Sequence, residues 1–306
     1  MNILVTGGAG FIGSHLCDFL VKENHNVIVV DNLSSGYESN ISNILDKLQF
    51  FENKVEEFNF DSLSEIDCVV HLSSQTSVPV SVKDFRKSSS SNILSSIRII
   101  DFCSKENIPL VFASSAATYG NLNIGDDSSN EHNLLSPYAV DKYSMELYAD
   151  MSNKLYGLSN IGLRFFNVYG PRQDPKNSYS GVISIFCDSI LSNKSITING
   201  GKQKRDFIYV DDVVQSIVRS LDKVTNSKVS EIINILTGEL TSIDDIADIL
   251  INLTGTSVEK VYKELPLGDP KGSPGTCYKM NEILEINQTS LTRIEKGLSA
   301  TINHLK

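Results

Sequence analysis

The chain has 306 residues, 41% hydrophobic and 21% charged, which suits one large or two closely joined domains with a sizeable core. Its net charge of −10 repels phosphate backbones and argues against a nucleic-acid partner, so any anionic ligand must be held by a few local donors. The five cysteines (Cys17, Cys68, Cys103, Cys187, Cys277) are odd in number and scattered, which predicts reduced thiols in a cytoplasmic protein and neither disulfides nor a zinc site. No signal peptide is expected before the first strand, and no apolar run approaches the roughly 20 residues that span a bilayer.

In chain order, Asn2–Thr6 is a short β-branched run that leads into glycines, and Phe11–Glu23 has helical periodicity through Ile12, Leu16, Phe19 and Leu20. Val27–Val30 is again strand-like and ends at Asp31, and Cys68–Leu72 and Leu110–Ala113 read the same way. Asn92–Cys103 has helical spacing and predicts a helix that starts after the serine run Ser88–Ser91. Ser136–Tyr156 is a second strong helix, with Ser136 as cap, Pro137 at its first position and Gly157 to end it. Ile161–Asn167 reads as one more strand.

From Pro171 the pattern loosens into short strands (Ser195–Ile198, Phe207–Val210) and short helices (Asp211–Leu221, Ser242–Leu253). Continuous apolar strands alternating with amphipathic helices imply an α/β fold with a parallel sheet covered on both faces. The expected division is a doubly wound sheet domain over residues 1–170 and a smaller mixed α/β lobe over 171–306, with segments near 207–237 returning to the first sheet.

Residues 6–13 read TGGAGFIG, with Gly7, Gly10 and Gly13 between a predicted strand and a predicted helix. A tight turn needs residues without Cβ, and a pyrophosphate needs backbone N–H groups and a helix N-terminus close to it. Asp31 ends the second strand near the roughly 20-residue spacing of a ribose-binding carboxylate. A carboxylate there accepts from ribose hydroxyls and repels a 2′-phosphate, so NAD is favoured over NADP.

Tyr138 and Lys142 stand at i and i+4 on one face of the Ser136–Tyr156 helix. Tyrosine titrates near 10, and a neighbouring ammonium together with a nicotinamide cation would lower that value and make the phenolate a base. Ser115 follows the Leu110–Ala113 run, at the strand end that lines the ligand crevice of such a sheet. His71 reads as a satisfied core histidine. Asp211 and Asp212 read as caps of the helix that begins there, and no metal site is expected.

This set resembles the extended short-chain dehydrogenases and, within them, the NAD-dependent sugar-nucleotide epimerases. The matching pieces are TGGAGFIGSHL (6–16), VVDNLSSG (29–36), VVHLSSQTSV (69–78), SSAATYG (114–120), SPYAVDK (136–142), LRFFNVYGPRQDP (163–175), KRDFIYVDD (204–212) and, more loosely, GDPKGS (268–273). The resemblance implies a Rossmann-like fold with Ser115, Tyr138 and Lys142 as the catalytic triad. It implies NAD contacts from Phe11, Ile12, Asp31, Asn32, Ser35, Gly36, Leu72, Ser73, Gln75, Asn92 and Phe166. It places Thr76, Asn167, Gln173, Gly181, Arg205, Lys271 and Ser273 around a UDP-sugar. The chain departs from the family pattern at Lys54, where many members have an adenine-contacting aspartate, at Ser73 and Ser74 in place of alanines, and at Lys271 in place of arginine.

Within that family, 4,6-dehydratases and decarboxylases commonly carry acid–base residues after the Ser115 position. Here Ala116 and Ala117 stand there, which points to epimerisation at C4 alone. Asp174 would repel a sugar carboxylate, so a neutral sugar is favoured over a glucuronate. Small residues at Gly181 and Ser273 leave room for an N-acetyl group, which keeps UDP-GlcNAc/GalNAc beside UDP-Glc/Gal. The alternatives are a glucuronate 4-epimerase, a dehydratase or decarboxylase, and a non-catalytic NAD-sensing protein. The family commonly dimerises through two helices, here Asn92–Cys103 and Ser136–Tyr156, with Met145 and Leu147 expected on the outer face.

Overall fold

The computed structural model describes residues 1–63, 65–177, 181–265 and 272–306. In chain order the elements are β1 (Asn2–Thr6), α1 (Phe11–Lys22), β2 (Asn26–Asp31), β3 (Leu48–Glu52), β4 (Cys68–His71), α2 (Val78–Lys83), α3 (Phe85–Glu106), β5 (Leu110–Ser115), α4 (Pro137–Tyr156), β6 (Asn160–Phe165) and β7 (Asn167–Tyr169). They continue with α5 (Val182–Leu191), β8 (Ile196–Asn199), β9 (Lys204–Tyr209), α6 (Val210–Asn226), β10 (Ser230–Ile235), β11 (Leu240–Ser242), α7 (Ile243–Thr254), β12 (Lys260–Lys263), β13 (Gly272–Ser273), α8 (Tyr278–Leu284) and α9 (Ile294–Leu305).

The chain forms two compact units, one of residues 1–118, 134–164 and 214–233, the other of residues 119–133, 165–213 and 234–306. In the first, seven strands line up in the order β10-β6-β5-β4-β1-β2-β3. β1 runs parallel to β2 and β4, and the β2–β3 and β4–β5 pairs are parallel too. The crossovers reverse at β1 and β4, whose C-terminal ends flank the place where such sheets bind ligands. β1, β2, β4, β5 and β6 are almost wholly buried, as expected when helices cover both faces, while the outer strands β3 and β10 are more open. One core cluster joins Leu4, Val69 and Phe112 of the sheet to Ile99 of α3 and to Met145 and Ala149 of α4.

Several boundaries differ from those expected of the sequence. α3 starts at Phe85, because Asp84 caps it by accepting the Lys87 N–H at 3.1 Å, so the serine run lies inside the helix. The strand expected over Ile161–Asn167 is broken at Phe166, whose carbonyl accepts the Val168 N–H at 2.9 Å in a tight turn. Met145 faces the core at 2% exposure, whereas Leu147 is 52% exposed. Asp211 and Asp212 lie in the first turn of α6 instead of capping it, and Asp212 accepts from Thr292 N–H and Oγ1.

The second unit is built on β9, which pairs antiparallel with β11 and parallel with β13 and β7, with β8 and β12 as a separate parallel pair. Cys17, Cys68, Cys103 and Cys187 are buried, and among the described residues none forms a disulfide. Among the described residues no helix is long and apolar enough to cross a membrane.

Candidate active site

The turn between β1 and α1 depends on missing side chains. Gly7 has φ +75°, and a Cβ on it would lie 2.7 Å from the Ser73 nitrogen. A Cβ on Gly13 would lie 2.1 Å from the Gly7 oxygen. The N-terminus of α1 opens at Gly10 with no side-chain cap and no acidic residue in its first turn, so its amide dipoles are left for an outside anion. Phe11 and Ile12 are half-buried in that turn.

Asp31 is 7% exposed at the end of β2. Its Oδ2 accepts the Ala9 N–H at 3.0 Å and its Oδ1 the Leu33 N–H at 2.9 Å. Burial pushes its carboxyl above the ordinary range, and these amide bonds pull it back. Asp31 therefore shapes the glycine turn and still has acceptor sites to spare. Asn32 and Ser35 are exposed beyond it, and Gly36 is buried against Ala9.

After β4, Leu72 donates its N–H to the Thr6 carbonyl at 3.0 Å and Ser73 donates to Thr6 Oγ1 at 3.4 Å. His71 is the satisfied core histidine, 2.6 Å from Thr6 Oγ1, and burial holds its imidazole neutral with a pKa lowered to about 3. Ser73 Oγ is buried without a partner. Gln75 donates through Nε2 to Ser88 Oγ at 2.8 Å, and Thr76 is exposed. Asn92 is 4% exposed, and its carboxamide is taken up by protein groups: Nδ2 donates to Gln75 O and Asp141 Oδ2, while Oδ1 accepts from Gln75 N–H and Ser74 Oγ.

The three catalytic candidates meet at the end of β5. Ser136 caps α4 by accepting the Ala139 N–H at 3.2 Å, and Gly157 closes it with φ +74°. That helix carries Tyr138 (8% exposed) and Lys142 (6% exposed) on one buried face. The Ser115 hydroxyl hydrogen-bonds the Tyr138 phenol. Lys142 Nζ donates to the Ala113 carbonyl at 2.8 Å and lies 5.8 Å from the centre of the Tyr138 ring.

The expected lowering of the Tyr138 pKa is not seen in the protein alone. Burial pushes the phenol up to about 12; the Ser115 bond pulls against it and the Asp141 carboxylate adds to it. Burial lowers Lys142 to about 8, opposed by Asp141 and Glu146. Beneath them lies a buried ion pair that sequence reasoning does not find. Arg164 binds Glu146 through Nε at 2.9 Å and Nη2 at 2.6 Å, and Ser114 Oγ also donates to Glu146. Its only sequence signal is a glutamate one turn beyond Lys142 and an arginine inside an apolar strand.

In the second unit, Arg205 on β9 lies opposite Ser273 of β13 and Thr241 of β11. Asn167 donates through Nδ2 to the Asp206 carbonyl at 2.9 Å. The Asp206 carboxylate, 1% exposed, accepts from Thr237 N–H, Thr237 Oγ1 and Gly238 N–H, and burial lifts it to about 6 against those bonds. Gln173 Nε2 donates to the Val168 carbonyl at 3.2 Å, and a Cβ on Gly181 would lie 3.2 Å from that Nε2. Gln173 Oε1 and Ser273 Oγ are buried without partners. Phe166 is buried, its ring centre 6.4 Å from that of Tyr119. Lys271 lies outside the described residues.

The sequence pattern of the NAD dependent epimerase/dehydratase family matches residues 3–235. The chain belongs to this family. A putative UDP-glucose 4-epimerase of Methanocaldococcus jannaschii is 41% identical over 267 residues, 85% of each chain. The UDP-glucose 4-epimerase of Thermotoga maritima, solved with UDP-glucose, superposes with a TM-score of 0.92 at 35% identity, covering 100% of this chain and 98% of that one. The UDP-N-acetylglucosamine 4-epimerase of Methanobrevibacter ruminantium, solved with UDP-N-acetylmuramic acid, superposes at 0.93 with 32% identity, covering 99% and 97%. Relatives in the same identity range include a UDP-glucuronate 4-epimerase and a dTDP-D-glucose 4,6-dehydratase, so likeness carries the family and the sugar has to be argued from residues.

NAD is the cofactor of this epimerase/dehydratase, and the residues present fit it. The uncapped α1 N-terminus suits a pyrophosphate, the acceptor-only Asp31 suits ribose hydroxyls, and the unpartnered Ser73 Oγ leaves a buried polar atom for a ligand to satisfy.

Proposed function

We propose that the protein is an NAD-dependent UDP-hexose 4-epimerase acting on neutral sugars, UDP-Glc/UDP-Gal or their N-acetylated counterparts. The observation that supports this reading is the cluster of half-buried Ser115 with buried Tyr138 and Lys142, followed by alanines at 116 and 117. Ala116 and Ala117 have nothing to ionise, and the Thr118 hydroxyl is already spent on the Ser115 carbonyl at 3.0 Å. A dehydratase needs a second proton-transfer group at such a position.

Tyr138 removes the proton from the sugar O4 and later returns it. Ser115 donates a hydrogen bond to the same oxygen, and Lys142 provides the positive charge that favours the phenolate. Bound NAD supplies the hydride acceptor at C4, the donor for its return to the opposite face, and a cationic ring. Because Tyr138 stands at about 12 in the protein by itself, raised by burial first and by Asp141 against the Ser115 hydrogen bond, the phenolate is favoured when the local field is made more positive. Asp31, Ser73 and the α1 N-terminus are assigned to the cofactor. Arg205 and Asn167 are assigned to the diphosphate, with Ser273, Gln173 and Gly181 near the sugar. Binding energy from UDP can then hold a loosely gripped 4-keto sugar while it turns over.

Support for the N-acetylated sugars is the small size of Gly181 and the unpartnered Ser273 Oγ and Gln173 Oε1. Support against a glucuronate is Asp174, whose carboxylate sits in this segment and accepts the Lys176 N–H at 2.9 Å. A homodimer through α3 and α4 is also proposed, with Leu94 (54% exposed), Leu147 (52%) and Leu155 (66%) as candidate covered residues; sedimentation checks it. Incubation with UDP-Glc, UDP-Gal, UDP-GlcNAc, UDP-GalNAc and UDP-GlcA, read by NMR at C4, tests the assignment. Turnover of UDP-GlcA alone, or a change in product mass, would overturn it.

A further inference from the structure

We propose that Asp141 is a positioning residue which, through Asn92, locks the segment after β4 against the catalytic helix. The inference rests on the epimerase reading. Asp141 is 3% exposed and follows Tyr138 by less than one helical turn, immediately before Lys142. Its Oδ2 accepts Asn92 Nδ2–H at 3.0 Å. The second Nδ2–H of Asn92 goes to the Gln75 carbonyl at 3.1 Å. Asn92 Oδ1 in turn receives the Gln75 N–H at 2.8 Å and the Ser74 hydroxyl at 3.1 Å.

An amide side chain can sit either way round, but a carboxylate only accepts. Asp141 therefore holds the end of Asn92 that the Gln75 N–H and carbonyl also select, so the carboxamide is fixed from both sides. A flipped Asn92 would set its NH2 against the Gln75 N–H. A second tie joins the same parts: Ser81 Oγ of α2 receives the Tyr138 N–H at 3.2 Å. The segment that carries Ser73, Gln75 and Thr76 is thus keyed to the helix that carries the base.

The choice of a carboxylate has a cost, since Asp141 Oδ1 is buried with no hydrogen-bond partner. The negative charge acts on its neighbours as well. Around Lys142 stand Tyr138, Asp141 and Glu146 on α4, the neutral His71 on β4 and the Ala113 carbonyl on β5. Asp141 favours the Lys142 ammonium and disfavours the Tyr138 phenolate.

The test uses the full-length protein as Asp141→Asn, Asn92→Ala, Asp141→Ala and the Asp141→Ala/Asn92→Ala double variant. Each is read by kcat and KM for the UDP-sugar, by NAD content after gel filtration, and by the pH profile of kcat. Asp141→Asn should lower kcat about 10-fold with KM nearly unchanged, and should lose NAD on the column. It should also move both limbs of the pH profile to lower pH, because loss of a negative charge stabilises the phenolate and destabilises the ammonium. Asn92→Ala, which cuts the same tie from the other side, should reproduce the losses of kcat and NAD without moving the limbs, and it serves if Asp141→Asn fails to fold. The double variant should be no worse than Asp141→Ala. Variants with parental kcat, NAD content and pH profile, and only a lowered melting temperature, would overturn the inference. A parent enzyme that converts no UDP-sugar would instead overturn the reading beneath it.

Discussion

Four candidate site residues of the first compact unit are held differently from four of the second. In the first, Tyr138, Lys142, Asp31 and Asn92 are all under a tenth exposed, and each is tied by hydrogen bonds or shifted in pKa. In the second, Asn167, Arg205, Gln173 and Ser273 are half-buried on short strands and loops, and two of them keep an unpartnered oxygen. The difference teaches a division of labour. Proton and hydride chemistry needs charges fixed before the substrate arrives, because a dry, preorganised field is what shifts a phenol. Binding a large ligand needs polar atoms left unspent, as Gln173 Oε1 and Ser273 Oγ are.

The sharpest attempt to break this comparison is Tyr138→Phe. It should cut kcat by about 10²–10⁴-fold while NAD content stays parental, measured by NMR turnover and by absorbance of released cofactor. Next is the ion pair under the site. Glu146→Gln leaves the buried Arg164 facing a neutral side chain, and since both are 4% exposed, stability to urea should fall by about 3–5 kcal/mol. An equal substitution at an exposed pair of the first unit, Lys105 with Asp101, should cost under about 1 kcal/mol.

A third comparison uses pH. Lys142 titrates at about 8 when folded and near its ordinary value of 10.5 when unfolded, so between those values the unfolded chain binds the extra proton. Stability should therefore rise with pH from 8 towards 10 in the parent, relative to Lys142→Met, by thermal melts of the NAD-free protein. A flat difference would show that burial does not depress this lysine. The smallest effect expected is on the binding side. Arg205→Ala should raise KM for UDP-sugars about 10-fold or somewhat more and leave kcat within about two-fold, the reverse of the Tyr138 result.

Most of the first unit is legible in the amino-acid sequence. The strand–glycine–helix order at residues 2–22, Asp31 at a strand end, and Tyr138 and Lys142 one turn apart are local patterns, and the elements that carry them form where those patterns place them. Less is legible beyond Pro171, where β9 takes β7, β11 and β13 as partners from separate parts of the chain and the shortest of them, β13, has two residues. Strands that short carry no periodicity, so their register is set by what lies beside them. The outward position expected for Met145 fails for a related reason: α4 is apolar on more than one side, and only its place in one core cluster with Ile99 and Phe112 shows which side is inside.

By itself the sequence determined the family, the parallel-sheet scaffold and the residue types proposed as the base, its lysine and its serine, since these rest on residue type at short fixed spacing. Only the tertiary structure decided that Asn92 spends its carboxamide on Asp141, Ser74 and Gln75, that Glu146 and Arg164 pair beneath the site, and that burial moves Tyr138 up and Lys142 down from their ordinary titration. The physical reason is that burial and long-range hydrogen bonds are properties of the neighbours a residue acquires on folding, and the strength of a charge depends on them.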